Sequence, residues 1–131
     1  MKKVILGAFF ALITIGAFAQ KNNVEVLYFK AQLACCKAAA CNNLESEVKT
    51  IIEKNFPSGN VTFKQVALAD EANKDLVAKY NAKSQTVVAV KTAKKNATST
   101  DISDIIRSYA RSNDKAKFET ELVAKINEIL K

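Results

Sequence analysis

The sequence predicts an α/β domain. Runs of β-branched and aromatic residues alternate with stretches of helical period, and the order they give is β-α-β-α-β-(β)-α-α. Alternation of this kind implies a partly parallel sheet with helices on both faces, connected right-handedly. The chain of 131 residues, less its N-terminal leader, is long enough for one compact domain and no more.

Asn23 to Lys30 carries Val24, Val26, Leu27, Tyr28 and Phe29 and reads as a buried strand. In the next segment Leu44, Val48, Ile51, Ile52 and Phe56 recur at helical spacing, and Pro57-Ser58-Gly59-Asn60 ends it with strong turn chemistry. Val61 to Leu68 alternates well enough for a second strand. Asp70 then stands as the N-cap of a helix that carries Ala72, Leu76, Val77 and Tyr80 on one face. Thr86 to Val90 is an apolar, β-branched run expected to be a central strand covered on both faces. Lys94-Lys95-Asn96 is a turn, and Ala97 to Thr100 returns as a short edge strand. Two helices finish the chain, marked by Ile102, Ile105, Ile106 and Tyr109, and by Phe118, Leu122, Val123, Ile126, Ile129 and Leu130. Ser112-Asn113-Asp114 separates them.

The N-terminus has the layout of a secretory signal peptide. Lys2 and Lys3 form a charged region, Val4 to Gly16 an apolar one, and Ala17-Phe18-Ala19 a small-x-small cleavage site. Residues 1–19 are thus expected to be removed after Ala19, leaving a domain over residues 20–131 that is periplasmic or otherwise extracytoplasmic. The apolar run is short of the roughly 20 residues needed to span a bilayer, so no stable membrane anchor is expected after cleavage. Outside the cytoplasm disulfides persist, and an odd number of cysteines leaves at least one free, metal-bound or paired with a partner.

Composition excludes several classes. The net charge of +7 comes from basic residues interspersed with acids, as in Glu45, Glu47, Lys49, Glu53 and Lys54, which is a solvated surface rather than a phosphate-binding stripe. Nucleic acid is not expected as a partner. With no His there is no Cys-His or Ser-His-Asp pair and no imidazole metal site. The three glycines are Gly7, Gly16 and Gly59, so no phosphate-cradling loop exists and no nucleotide cofactor is expected.

All three cysteines fall in Cys35-Cys36-Lys37-Ala38-Ala39-Ala40-Cys41, after the first strand and at the opening of a helix. Backbone N–H groups and the positive end of the helix dipole stabilise a thiolate there, the form that attacks disulfides and binds soft metals. Lys37 adds a positive charge that can lower a neighbouring thiol pKa. If Cys36 and Cys41 share one regular helix they stand about 7.5 Å apart along its axis, too far for a disulfide without unwinding a turn. A vicinal Cys35–Cys36 disulfide is strained and easily reduced. Cys41, three residues before Leu44 and seven before Val48, shares the core-facing side of the helix.

This order, with cysteines between the first strand and the first long helix, resembles the thioredoxin fold, and Leu68 to Val88 resembles that family's Asp-ended strand, Lys-Tyr-ended helix and turn into the next strand. The resemblance implies a three-layer α/β/α sandwich with a central mixed sheet and, here, an extra C-terminal helix. Counting from Tyr28-Phe29, Cys35 matches the attacking cysteine, but the resolving position falls on Ala38. Gln85 stands where the family has its cis-proline, and Ala34 where it has Trp. The chain is also similar to small extracytoplasmic thioredoxin-like proteins that lack this proline, some described as subunits associated with nitroreductase or arsenic-resistance systems.

Three readings of the thiols stay open at this point. In the first, Cys35 and Cys36 carry out thiol–disulfide exchange with a partner protein bearing a disulfide or thiol, Cys41 is a third thiol, and Gln85 hydrogen-bonds the incoming peptide. In the second, Cys35, Cys36 and Cys41 bind a soft metal or trivalent arsenic. In the third, the domain is a non-catalytic interaction module or accessory subunit.

Overall fold

A computed structural model of the chain describes residues 22–32 and 35–131, with the backbone alone at 35–39 and 41. The leader expected over residues 1–19, Ala34, and the side chains of Cys35, Cys36, Lys37 and Cys41 lie outside the described residues. The elements are β1 (Asn23–Lys30), α1 (Cys35–Asn55), β2 (Val61–Ala67), a 3-10 turn (Glu71–Asn73) leading into α2 (Lys74–Lys79), β3 (Val87–Ala93), β4 (Asn96–Asp101), α3 (Ser103–Ser112) and α4 (Lys115–Leu130). The sheet runs β2-β1-β3-β4. β1 pairs parallel with β2 and antiparallel with β3, and β3 pairs antiparallel with β4.

The period of two along β1 sends its side chains to two cores. Val24, Val26 and Tyr28 join Val87 and Ala89 of β3 beneath α1, α3 and α4, where Val48, Ile51, Ile106, Phe118, Leu122 and Ile126 are all buried. Leu27 and Phe29 join Val66 and Val88 on the opposite face, covered by Leu76, Val77 and Tyr80 from α2 and its flanks. The protein is therefore an α/β sandwich of three layers around a mixed sheet. Each fully buried Leu, Ile, Val or Phe contributes about 1.5–3 kcal/mol relative to exposure, and the larger core accounts for most of that gain.

Local chemistry sets the boundaries. Gly59 takes φ 76° in the turn after α1, a conformation that costs glycine nothing. Asp70 caps as expected, accepting from Ala72 N at 3.0 Å, but the helix it opens starts as a 3-10 turn, which Asn73 Nδ2 ties to Ala67 O at 3.0 Å. β3 begins at Val87 rather than Thr86 because the preceding turn uses Thr86: its N donates to Lys83 O and its Oγ1 accepts from Lys83 N, both at 3.0 Å. Asn113 ends α3 at φ 54°, and Asp114 caps α4 by accepting from Lys117 N at 3.0 Å. Among the described residues no helix is long and apolar enough to cross a membrane.

Candidate functional site

Three segments meet at the C-terminal end of β1. The turn before β3 docks on that strand end through Gln85 N to Phe29 O at 3.0 Å and Phe29 N to Thr86 O at 2.9 Å. After four intervening residues α1 starts at Cys35, so Cys35 and Cys36 occupy its first two positions. α1 is continuous through Cys41, and the condition that separates Cys36 from Cys41 by about 7.5 Å along one helix axis is met. Leu44 and Val48, on the stripe that Cys41 shares by spacing, are both buried.

Gln85 is half-buried with φ 65°. A left-handed backbone is unfavourable for a side chain with no reason to be there, and Gln is not among the residues enriched in it. The turn is held from both sides, by the bonds to Phe29 and by those between Lys83 and Thr86. Behind it, the buried hydroxyl of Ser103 accepts from Val87 N at 2.9 Å and Ile102 N donates to Val87 O at 2.9 Å, which fixes the first residue of β3 against the start of α3. Gln85 is thus set firmly beside α1.

Between Gln85, α1 and the end of α3 lies an open cleft of about 460 Å³. Its described walls include Ala40, Asn43 and Glu47 from α1, Gln85, and Tyr109 and Asn113 from α3 and its cap. Tyr109 is held in place by stacking on Phe118, with ring centroids 4.3 Å apart and planes 3° from parallel. Glu47 is neutralised by Lys115, whose Nζ donates to Oε1 at 3.0 Å and lies 2.9 Å from Oε2. The hydrogen bond to Glu47 and its negative charge push the Lys115 pKa up. On the other side of α1, Lys30 Nζ donates to Glu45 Oε2 at 2.6 Å, bracing the helix against the end of β1.

The structure therefore brings Gln85 and the first turns of α1 to one place. Asn43, Glu47, Tyr109, Asn113 and Ser103 were not singled out by the sequence reading. Their spacing along the chain gives none of them a functional mark; Tyr109 reads as part of an apolar helix stripe, Asn43 and Glu47 as an ordinary polar helix face, and Asn113 as part of the turn between the last two helices. Among the described residues no group of three His, Cys, Asp or Glu is placed to hold a metal ion.

No family model and no curated protein matches the chain. A solved structure, "Structure of a malarial protein", is similar at 25% identity over 61% of this chain and 81% of that one, with a TM-score of 0.39, and a likeness so distant carries no argument about function.

Proposed function

We propose that the chain is an exported thioredoxin-like protein that exchanges thiols and disulfides with a partner protein. The observation that carries this reading is the start of a 21-residue helix at Cys35, with four residues between it and the strand on which the Gln85 turn is docked. The mixed sheet, with β3 antiparallel to β1 and helices on both faces, supports the reading, because the thioredoxin resemblance implies a three-layer α/β/α sandwich with a central mixed sheet. Unpaired N–H groups and the helix dipole at the first turn favour the thiolate of Cys35 or Cys36.

The exchange balances without a cofactor. The Cys35 thiolate attacks one sulfur of the partner's disulfide, forming a mixed disulfide and releasing the partner's other sulfur as a thiolate, which takes up a proton. The Cys36 thiolate then attacks the Cys35 sulfur, releasing the partner's remaining thiol and leaving a Cys35–Cys36 disulfide. The partner gains two electrons and the protein loses two. A strained vicinal disulfide is readily reduced again, so the same pair also runs in the oxidising direction.

Reduction of a mixed peptide disulfide, followed by release of free thiol, tests the proposal. Cys35→Ser and Cys36→Ser should each abolish turnover, Cys41→Ser should leave much of it, and Cys36→Ser should trap the mixed disulfide. Full activity in both Cys35→Ser and Cys36→Ser would refute the assignment.

A further inference from the structure

We infer that the outer edge of β4 is a self-association surface, on which β4 of a second copy pairs antiparallel about a two-fold axis and joins the two sheets into one. β4 ends the sheet order and bonds to β3 on one side; among the described residues no strand pairs with its other side. Asn96 to Ser99 are all exposed. An open edge is a row of unpaired N–H and C=O groups, and proteins that must not pair guard it with a mid-strand charge, a proline or a bulge. β2, the opposite edge, carries exposed Lys64 at its centre. β4 has none of these guards: Asn96 to Thr100 is uncharged, holds no proline, and keeps an unbroken register with β3 from Val88↔Asp101 to Ala93↔Asn96.

The bonding pattern decides which groups face outward. Ile102 N donates to Val87 O at 2.9 Å, one step beyond the last ladder pair, so alternation along the strand turns the N–H groups of Thr100, Thr98 and Asn96 toward β3. Those of Ala97, Ser99 and Asp101 therefore point away from the sheet. A two-fold axis at Thr98 sets Ala97 against Ser99 of the second copy, and Ser99 against its Ala97, as hydrogen-bonded pairs. Thr98 meets Thr98 between them in a non-hydrogen-bonded pair, and Asn96 meets Thr100, so small polar side chains that hydrogen-bond across strands oppose one another.

Charge selects both the occupant and the register. Centred on Thr98, the ladder runs the length of β4 and brings Lys95, in the turn before it, opposite Asp101 of the second copy at both ends. Asp101 accepts a hydrogen bond from Ser103 N at 2.8 Å, and among the described residues neither Asp101 nor Lys95 has an ion-pair partner in its own chain. Moving the axis to Ser99 shortens the ladder, sets Asp101 against Ala97 and carries Lys95 past the end of the second strand. An unrelated strand has no reason to present a base and an acid at equal distances either side of its centre. A second copy does so by symmetry.

Sedimentation equilibrium of the reduced protein, and of a form with all three cysteines replaced by Ser, tests this apart from the thiols. The mass should rise from one copy toward two between about 1 µM and about 1 mM, the range of weak association. Ser99→Pro removes an outward N–H and spares the bonds to β3, so it should keep a cooperative thermal transition and weaken the dimer at least about tenfold. Lys95→Glu lowers the positive charge of the chain yet sets two carboxylates together, and should also weaken the dimer. In the cysteine-free form Thr98→Cys, which does not depend on a proline being accommodated, should cross-link in air, because the opposed Cα atoms of such a pair lie about 4.5 Å apart, within disulfide reach. Ser99→Cys should not. A single copy at about 1 mM overturns the inference, as does a dimer that Ser99→Pro leaves intact or one that cross-links through Ser99→Cys rather than Thr98→Cys. A monomer that takes up a blocked threonine–valine hexapeptide assigns the edge to another protein and overturns self-pairing. Disulfide exchange is read separately, so failure here leaves the redox proposal as it stands.

Discussion

Lys30 and Glu45 form an ion pair of 2.6 Å, Nζ to Oε2, with both side chains largely shielded from solvent. It joins the last residue of β1 to the fourth residue after Cys41 on α1, and so braces the helix that opens with the cysteines against the strand that leads to it. The pair retains partial access to water, which limits its worth. A double-mutant cycle of Lys30→Met and Glu45→Gln should give a coupling of about 1 kcal/mol in urea unfolding. A coupling indistinguishable from zero would show that this ion pair does not help to hold α1 against β1.

Ser103 should be more critical than its size suggests. Its hydroxyl is buried and accepts the N–H of Val87, the first residue of β3. Removal leaves that donor without a partner in a dry place, and Ser103→Ala should therefore destabilise the protein by about 1–3 kcal/mol. Ser108→Ala, at a half-buried position of the same helix, should cost less, about 0.5 kcal/mol.

The α1–α4 contact should make stability depend on pH at both extremes. Hydrogen bonds from Lys54 and Asn55 hold the Glu119 pKa below the ordinary glutamate value, so its contribution is present above the unfolded-state pKa and is lost as pH falls through the folded one. Lys115 is shifted up by Glu47, so its contribution is present below the ordinary lysine value of 10.5 and is lost as pH rises through the folded pKa. Thermal midpoints across pH should show a plateau with an acid limb and an alkaline limb. Glu119→Gln should flatten the first and Lys115→Met the second; unchanged limbs in both variants would place the pH dependence elsewhere.

Alkylation separates the thiols. If the helix start activates Cys35 or Cys36 while Cys41 follows Leu44 and Val48 toward the core, iodoacetamide at neutral pH should modify the first pair at least about tenfold faster, the ratio given by one unit of thiol pKa. Peptide mapping after timed quenching reads this directly. Equal, slow modification of all three cysteines would argue against a reactive thiolate at the helix start.

The strands and helices were legible in the sequence because each carries its own period. β1 spans Asn23–Lys30 as its apolar run implies, Leu44, Val48, Ile51, Ile52 and Phe56 are all buried, and the helical stripe through Phe118, Leu122 and Ile126 faces the core. The turn at Pro57 to Asn60 and the cap at Asp70 act within a few residues of themselves, so their chemistry is also local. The position of Gln85 was marked in the chain, but its left-handed backbone was not, because that follows from Phe29, fifty-six residues earlier in sequence, taking both of its strand-end hydrogen bonds from the turn.

The tertiary structure alone decided what surrounds the thiol helix. Asn43, Gln85 and Asn113 are far apart in the chain and share no spacing, and they line one cleft because α3 is pinned to the start of β3 by Ser103 and to α4 by the Tyr109–Phe118 stack. Likewise the pairing of Glu47 with Lys115, which neutralises that carboxylate, depends on α4 returning across α1. A one-dimensional pattern records which face of an element is apolar; it does not record which polar faces are carried together when those apolar faces pack.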